Sequence, residues 1–178
     1  MERLKALAEF LVDFERPGFR SGKLRAGKEV EPGVLQLPYI EYDDRVDAFV
    51  ETAYGYGWML TGAEHNFDWT RWKDTNEAIQ LRDDENSVEG ATEEQLARLL
   101  TVLIRAERFC EGTLFSAFEN GFILRIVRRA AVLAGSAAAS GKKGQISSGR
   151  AGRGGTGKAR AGGGGIKKQG SERGRCED

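Results

Sequence analysis

The 178-residue chain reads as mainly α-helical: a compact single-domain helical bundle of about five helices, with at most a short extended segment, followed by a disordered tail. Three observations carry that expectation. Apolar residues recur at three- and four-residue spacing through much of the first 134 positions, the period of a helix with one buried face. Thr92-Glu93-Glu94-Gln95 has the residue types of a capping box, a device of helix starts. Composition then breaks after Ala134, so the chain divides into an acidic helical domain, 1–134, and a basic tail, 135–178.

Element by element, Glu2 to Phe14 places Leu4, Leu7, Ala8, Leu11 and Val12 at helical spacing and ends before Pro17-Gly18. The next stretch, punctuated by Gly22, Gly27, Pro32, Gly33 and Pro38, reads as loop with one extended piece at Val34-Leu35-Gln36-Leu37. Asp43-Asp44 offers an N-cap, and Asp47 puts negative charge in the first turn, where the helix dipole favours it. That helix carries Val46, Phe49, Val50, Ala53 and Tyr54 and frays at Gly55-Tyr56-Gly57. Asn66 to Arg82 forms another, capped by Asp68, and Asp83 to Gly90 is a polar connector. The helix begun by the capping box runs through Leu96, Leu99, Leu100, Leu103 and Ile104 and bends or ends at Gly112. Thr113 to Asn120 follows and stops at Gly121, a natural left-handed cap; Phe122 to Leu133 is last.

The net charge of zero conceals an asymmetry. Residues 1–134 hold 17 Lys and Arg against 24 Asp and Glu, a net of −7, whereas 135–178 hold 10 against 3, a net of +7. Partners therefore have to be argued for each part separately. In the second part 14 of 44 residues are glycine and none is aromatic, so it buries too little apolar surface to offset ordering and is expected to be disordered. Cys110, Cys176 and a single His65 give neither a disulfide framework nor a zinc site. No apolar run approaches the ~20 residues of a membrane span. The first residues enter an amphipathic pattern rather than a leader, so a cytoplasmic location is expected.

The candidate site is Leu99 to Gly112, where charges interrupt an apolar helical stripe. At ~100° per residue, Glu107 falls near the centre of the face formed by Leu96, Leu99, Leu100, Leu103 and Cys110. Glu111 lies on its flank, Arg108 further round, and Arg105 points away. A core-facing glutamate requires a cation, a hydrogen-bond donor or a raised pKa; Arg125, Arg128 and Arg129 on the last helix are candidate partners. Glu107 and Glu111 are accordingly candidate catalytic acid/base residues, or members of a structural ion pair. Arg105 and Arg108 are candidate anion binders.

A second group is Asp68-Trp69-Thr70-Arg71-Trp72. Trp69 and Trp72 share a helix face and suit either a ring-stacking wall or a core anchor. Asp68 reads as a cap and as a ligand contact. Phosphate loops, dinucleotide fingerprints, serine-hydrolase elbows and zinc-protease motifs are all missing from the sequence. No cofactor or metal is expected. In the tail, Arg150, Arg153, Lys158 and Arg160 sit among glycines and either form part of an inert extension or bind nucleic acid weakly through phosphates.

Taken together, Pro38-Tyr39, Gly57-Trp58, Phe67-Asp68-Trp69-x-x-Trp72 and Leu99-Leu100-Thr101-x-x-Ile104-Arg105-x-x-Arg108-Phe109-x-Glu111-Gly112, followed by Gly121 and Arg128-Arg129, resemble an uncharacterised bacterial family. It is the domain of unknown function numbered 6508, and the resemblance runs from about Phe10 to Val132. It implies a small, mainly helical, soluble bacterial protein and leaves the chemistry open. Two functions follow from the residues. The first is a binding module for a small-molecule or protein partner, with an Arg/Glu/Trp-lined surface formed by Asp68, Trp69, Trp72, Arg105 and Arg108. The alternative is a hydrolase or transferase acting on a nucleotide-like or sugar-containing substrate with a glutamate acid/base. Nucleic-acid binding through the tail is a third, weaker reading. No membrane partner is expected.

Overall fold

The capping box is where the sequence places it. In the computed structural model, which describes residues 2–62, 65–84 and 86–143 (for the last six the backbone only), Thr92 Oγ1 accepts from Gln95 N–H at 3.2 Å and Gln95 Oε1 accepts from Thr92 N–H at 2.8 Å. Among the described residues there are eight α-helices rather than about five: α1 (Glu2–Ala8), α2 (Leu11–Phe14), α3 (Asp44–Gly55), α4 (Trp69–Trp72), α5 (Asn76–Asp83), α6 (Glu93–Glu107), α7 (Thr113–Glu119) and α8 (Phe122–Lys143). A 3-10 turn, Ser87–Gly90, precedes α6.

Two of the extra helices arise where an expected helix is cut. Glu2–Phe14 is interrupted at Glu9-Phe10, where the Phe10 ring lies edge-on to Phe49 and stacked near Phe14. Asp74-Thr75 breaks Asn66–Arg82. There the Thr75 hydroxyl accepts from Ala78 N–H at 3.3 Å and starts α5 as an N-cap. Asp43 caps α3 through Arg45 N–H.

The largest departure is the sheet. Where one extended piece was expected, four strands form two antiparallel ribbons: β1 (Gly22–Arg25) with β4 (Tyr39–Tyr42), and β2 (Lys28–Glu31) with β3 (Val34–Gln36). Leu24 faces Ile40 and Gly22 faces Tyr42. A Cβ on Gly22 would stand 2.7 Å from the Glu41 carbonyl, which fixes glycine at this close approach. The second ribbon carries a bulge between Glu29 and Glu31, and every residue of β2 is exposed. Charged, glycine-punctuated strands of this kind lack the apolar alternation by which strands are recognised.

The final helix is longer than expected. α8 continues through Gly135 to Lys143, nine positions into the segment assigned to the tail, carried by the strong helix propensity of alanines 137–139. Arg150, Arg153, Lys158 and Arg160, with the rest of the expected disordered tail, lie outside the described residues.

The core of this unit is formed by α1, α3, α6 and α8. Leu7, Phe49, Trp58, Leu96, Leu100, Ile123, Ile126 and Val127 are fully buried, and Phe10, Phe14, Phe19, Phe49 and Phe118 make a continuous ring cluster. Thr101 is the buried polar exception on α6. Its hydroxyl donates to the Ala97 carbonyl at 2.8 Å and accepts from Leu60 N–H at 2.9 Å, tying the chain after α3 to the core helix. No helix among the described residues is long and apolar enough to cross a membrane.

Candidate functional site

The end of α6 is built around Glu107. Gly112, at the N-cap position of α7, has a φ of +94° and no side chain with which to cap the helix. The orphan amides at the start of α7 therefore need an acceptor from elsewhere. Glu107 supplies it from the preceding helix: Oε1 accepts from Gly112 N–H at 3.0 Å and Oε2 from Leu114 N–H at 2.7 Å. A negative charge at this end also suits the α7 dipole. The Tyr42 phenol, on β4, completes the set by donating to Oε1 at 2.7 Å, and its oxygen accepts from Phe115 N–H at 3.2 Å. Burial, followed by the adjoining Glu107 carboxylate, pushes the Tyr42 phenol above its ordinary pKa. The partner of Glu107 is thus a tyrosine and two main-chain amides instead of an arginine from α8. There Arg128 pairs with Glu15 and Arg129 donates to the Ala91 carbonyl.

Glu111 has a similar occupation. It is exposed, and Oε1 accepts from Ile40 N–H at 2.8 Å, covering an amide on the outer edge of β4. It borders a shallow cavity of about 380 Å³ lined by Leu24, Ile40, Cys110 and Phe115. Glu107 and Arg108 border a different one of about 200 Å³, with Tyr42, Val50 and Tyr54. Arg108 leans over the Tyr54 ring and donates to its hydroxyl at 3.1 Å.

Asp68 is placed on neither cavity. It caps α4, accepting from Thr70 N–H and Arg71 N–H. The Thr70 hydroxyl, then the Arg71 amide, holds its carboxyl below the ordinary aspartate range. Trp72 is buried, and its indole donates to Glu77 Oε2 at 2.9 Å. Glu77 also accepts from Gln95 and Arg98, and the Gln95 amide, then the Trp72 indole, lowers its pKa. Arg98, further held by Glu94, lies against Phe67 and Trp72.

Trp69 meets a residue outside the candidate set. Its ring stacks on Phe109 with centroids 6.0 Å apart and 24° between planes. Phe109 is 76% exposed and lies in the turn just past the end of α6, four positions after Arg105. Arg105 is half-buried. Its Nε is sealed from solvent with no hydrogen-bond partner, and it forms no ion pair with a carboxylate among the described residues. The structure therefore brings Trp69 onto Phe109 just past the end of α6, with Arg105 in the last turn of that helix, and places Glu107 and Arg108 beside Tyr54 and Glu111 against β4. Tyr42, Glu77 and Arg98 are the interacting residues that pattern reasoning missed. Of these, only Arg98, four positions after Glu94, carries a local signal.

The fold and site define a mainly helical domain with a β-ribbon arm and a set of carboxylates engaged by main-chain amides. The model of a family described as "Family of unknown function (DUF6508)" matches residues 1–136, and the chain belongs to that family. No curated protein and no solved structure matches it.

Proposed function

We propose that this protein is a binding module whose ligand face is the α4–α6 seam, with Trp69, Arg105 and Phe109 as its contacts. One observation carries the reading. Arg105 is half-buried, its Nε is sealed from solvent without a hydrogen-bond partner and no carboxylate among the described residues pairs with it, four positions before the exposed Phe109 ring that stacks on Trp69. A cation partly removed from water and left unpaired is costly, and an anionic group arriving there removes that cost. The seam also joins two of the segments on which the family resemblance rests, residues 67–72 and 99–112.

The hydrolase or transferase reading has less support. A general acid/base needs a free lone pair or proton directed at substrate. Both oxygens of Glu107 are engaged by donors, and one oxygen of Glu111 is held by β4. Asp68 stays ionised as a cap. Calorimetric titration of the full chain against a nucleotide and metabolite panel, with Arg105→Gln as control, tests the proposal. Binding that the variant loses is expected. Binding that survives in the variant, or none in the panel, overturns the seam as the ligand face.

A further inference from the structure

The seam also carries a statement about ligand class, which rests on the reading just given. We infer that its ligand is a small molecule with one flat aromatic ring and one anionic oxygen group. The ring requirement comes from Phe109, whose exposure leaves area for a third ring after Trp69 has stacked on it. The Trp69 indole N–H has no acceptor among the described residues, in contrast to the indoles of Trp58 and Trp72, which donate to the Arg3 carbonyl and to Glu77. It is a second donor at the same place.

The oxyanion requirement comes from Arg105. Its neighbour along the helix, Arg98, has its terminal nitrogens on Glu77 and Glu94, and Arg108 is turned to Tyr54. Arg105 alone of the three has no acceptor among the described residues, and a guanidinium presents a planar fork matched to carboxylate and phosphate. Arg105 and Phe109 are four positions apart across the end of α6, so the two requirements belong to one small ligand. One guanidinium and one ring stack match a single ring and a single anion, the format of a mononucleotide or an aromatic carboxylate rather than of a polymer.

The test follows the Trp69 indole and Arg105 Nε–H signals by NMR while the full chain is titrated with matched probes: AMP against adenosine, benzoate against benzamide, and inorganic phosphate alone. AMP, benzoate or both should move both signals saturably, at least tenfold more tightly than the neutral partner or phosphate. AMP binding more tightly than benzoate marks the nucleotide source, and the reverse order marks the carboxylate. Arg105→Gln should abolish the response of the Trp69 indole signal, and Phe109→Ser, at an exposed position that does not endanger the fold, should weaken it at least fivefold. Equal binding by adenosine or by bare phosphate, still lost in Arg105→Gln, overturns the ligand class while leaving the seam as the binding face. No response from any probe, or one that both variants retain, overturns both.

Discussion

The Tyr42 phenol donates to Glu107 Oε1 across 2.7 Å, joining the last strand of the ribbon to the last turn of α6. Because the same oxygen accepts from Gly112 N–H, and the other from Leu114 N–H, one carboxylate fixes three things. It sets the ribbon's position, the α6–α7 turn and the first turn of α7. The charge that interrupts the apolar stripe is thereby explained by the backbone: a glycine turn leaves amides uncapped, and the preceding helix has an acidic side chain within reach.

Glu107→Gln is therefore expected to destabilise the fold by about 2–4 kcal/mol. The variant replaces an acceptor-only group with one whose NH₂ must confront an amide or phenol donor, and hydrogen bonds to charged groups are worth about 1.5–3 kcal/mol. Glu111→Gln, at an exposed position with a single amide partner, should cost under about 1 kcal/mol. Urea unfolding of the two variants measures the difference, and equal costs would contradict the cap role of Glu107.

Tyr42 predicts an alkaline weakness. Its pKa is raised in the folded state, so the stabilisation is fully present below the ordinary tyrosine value of 10.0. It is lost as pH rises from there towards the raised value, because the unfolded chain ionises first. The expected slope is up to about 1.4 kcal/mol per pH unit. Tyr42→Phe should be less stable than wild type at neutral pH, since Phe115 N–H loses its acceptor, yet show a shallower decline above about pH 10. Unfolding midpoints on either side of that pH distinguish the slopes.

The helices were legible in the sequence where local chemistry decides them. Thr92 with Gln95, Asp43 and Asp68 each cap a helix through partners two or three residues away. The ribbons were not legible, because Leu24 and Ile40 meet across sixteen positions and Leu24 is the only apolar side chain of β1. The wheel placed Glu107 correctly on the inner side of α6, and the need for a partner followed. It had no access to Tyr42, 65 positions away. Arg105 was assigned to the outer side because a wheel treats α6 in isolation, whereas in the folded chain it is half-buried and its Nε is sealed from solvent.

Thr101→Val tests the one buried polar side chain on α6. Valine matches threonine in shape but leaves the Leu60 N–H without its acceptor at 2.9 Å. An unsatisfied buried amide costs about 1–3 kcal/mol, offset in part by the better burial of a methyl group. A net loss of about 1–2 kcal/mol in thermal or urea unfolding is expected, together with faster amide exchange at Leu60. Unchanged exchange there would place the amide's true partner elsewhere.

Phe109→Ser should separate the ring stack from the fold. Trp58 is 0% exposed and Trp72 8%, and both indoles are hydrogen-bonded, so neither should respond to a change at Phe109. Trp69 is only half-buried, and Phe109 covers one of its faces. Removing the ring should leave the core intact at a cost of about 0.5–1.5 kcal/mol, the value of an aromatic pair. Acrylamide quenching should rise for one of the three tryptophans alone, with a red shift in that fraction of the emission. Quenching that rises for all three would mean that the α4–α6 seam holds the core together. In that case Phe109 would be a packing residue whose exposure serves no ligand.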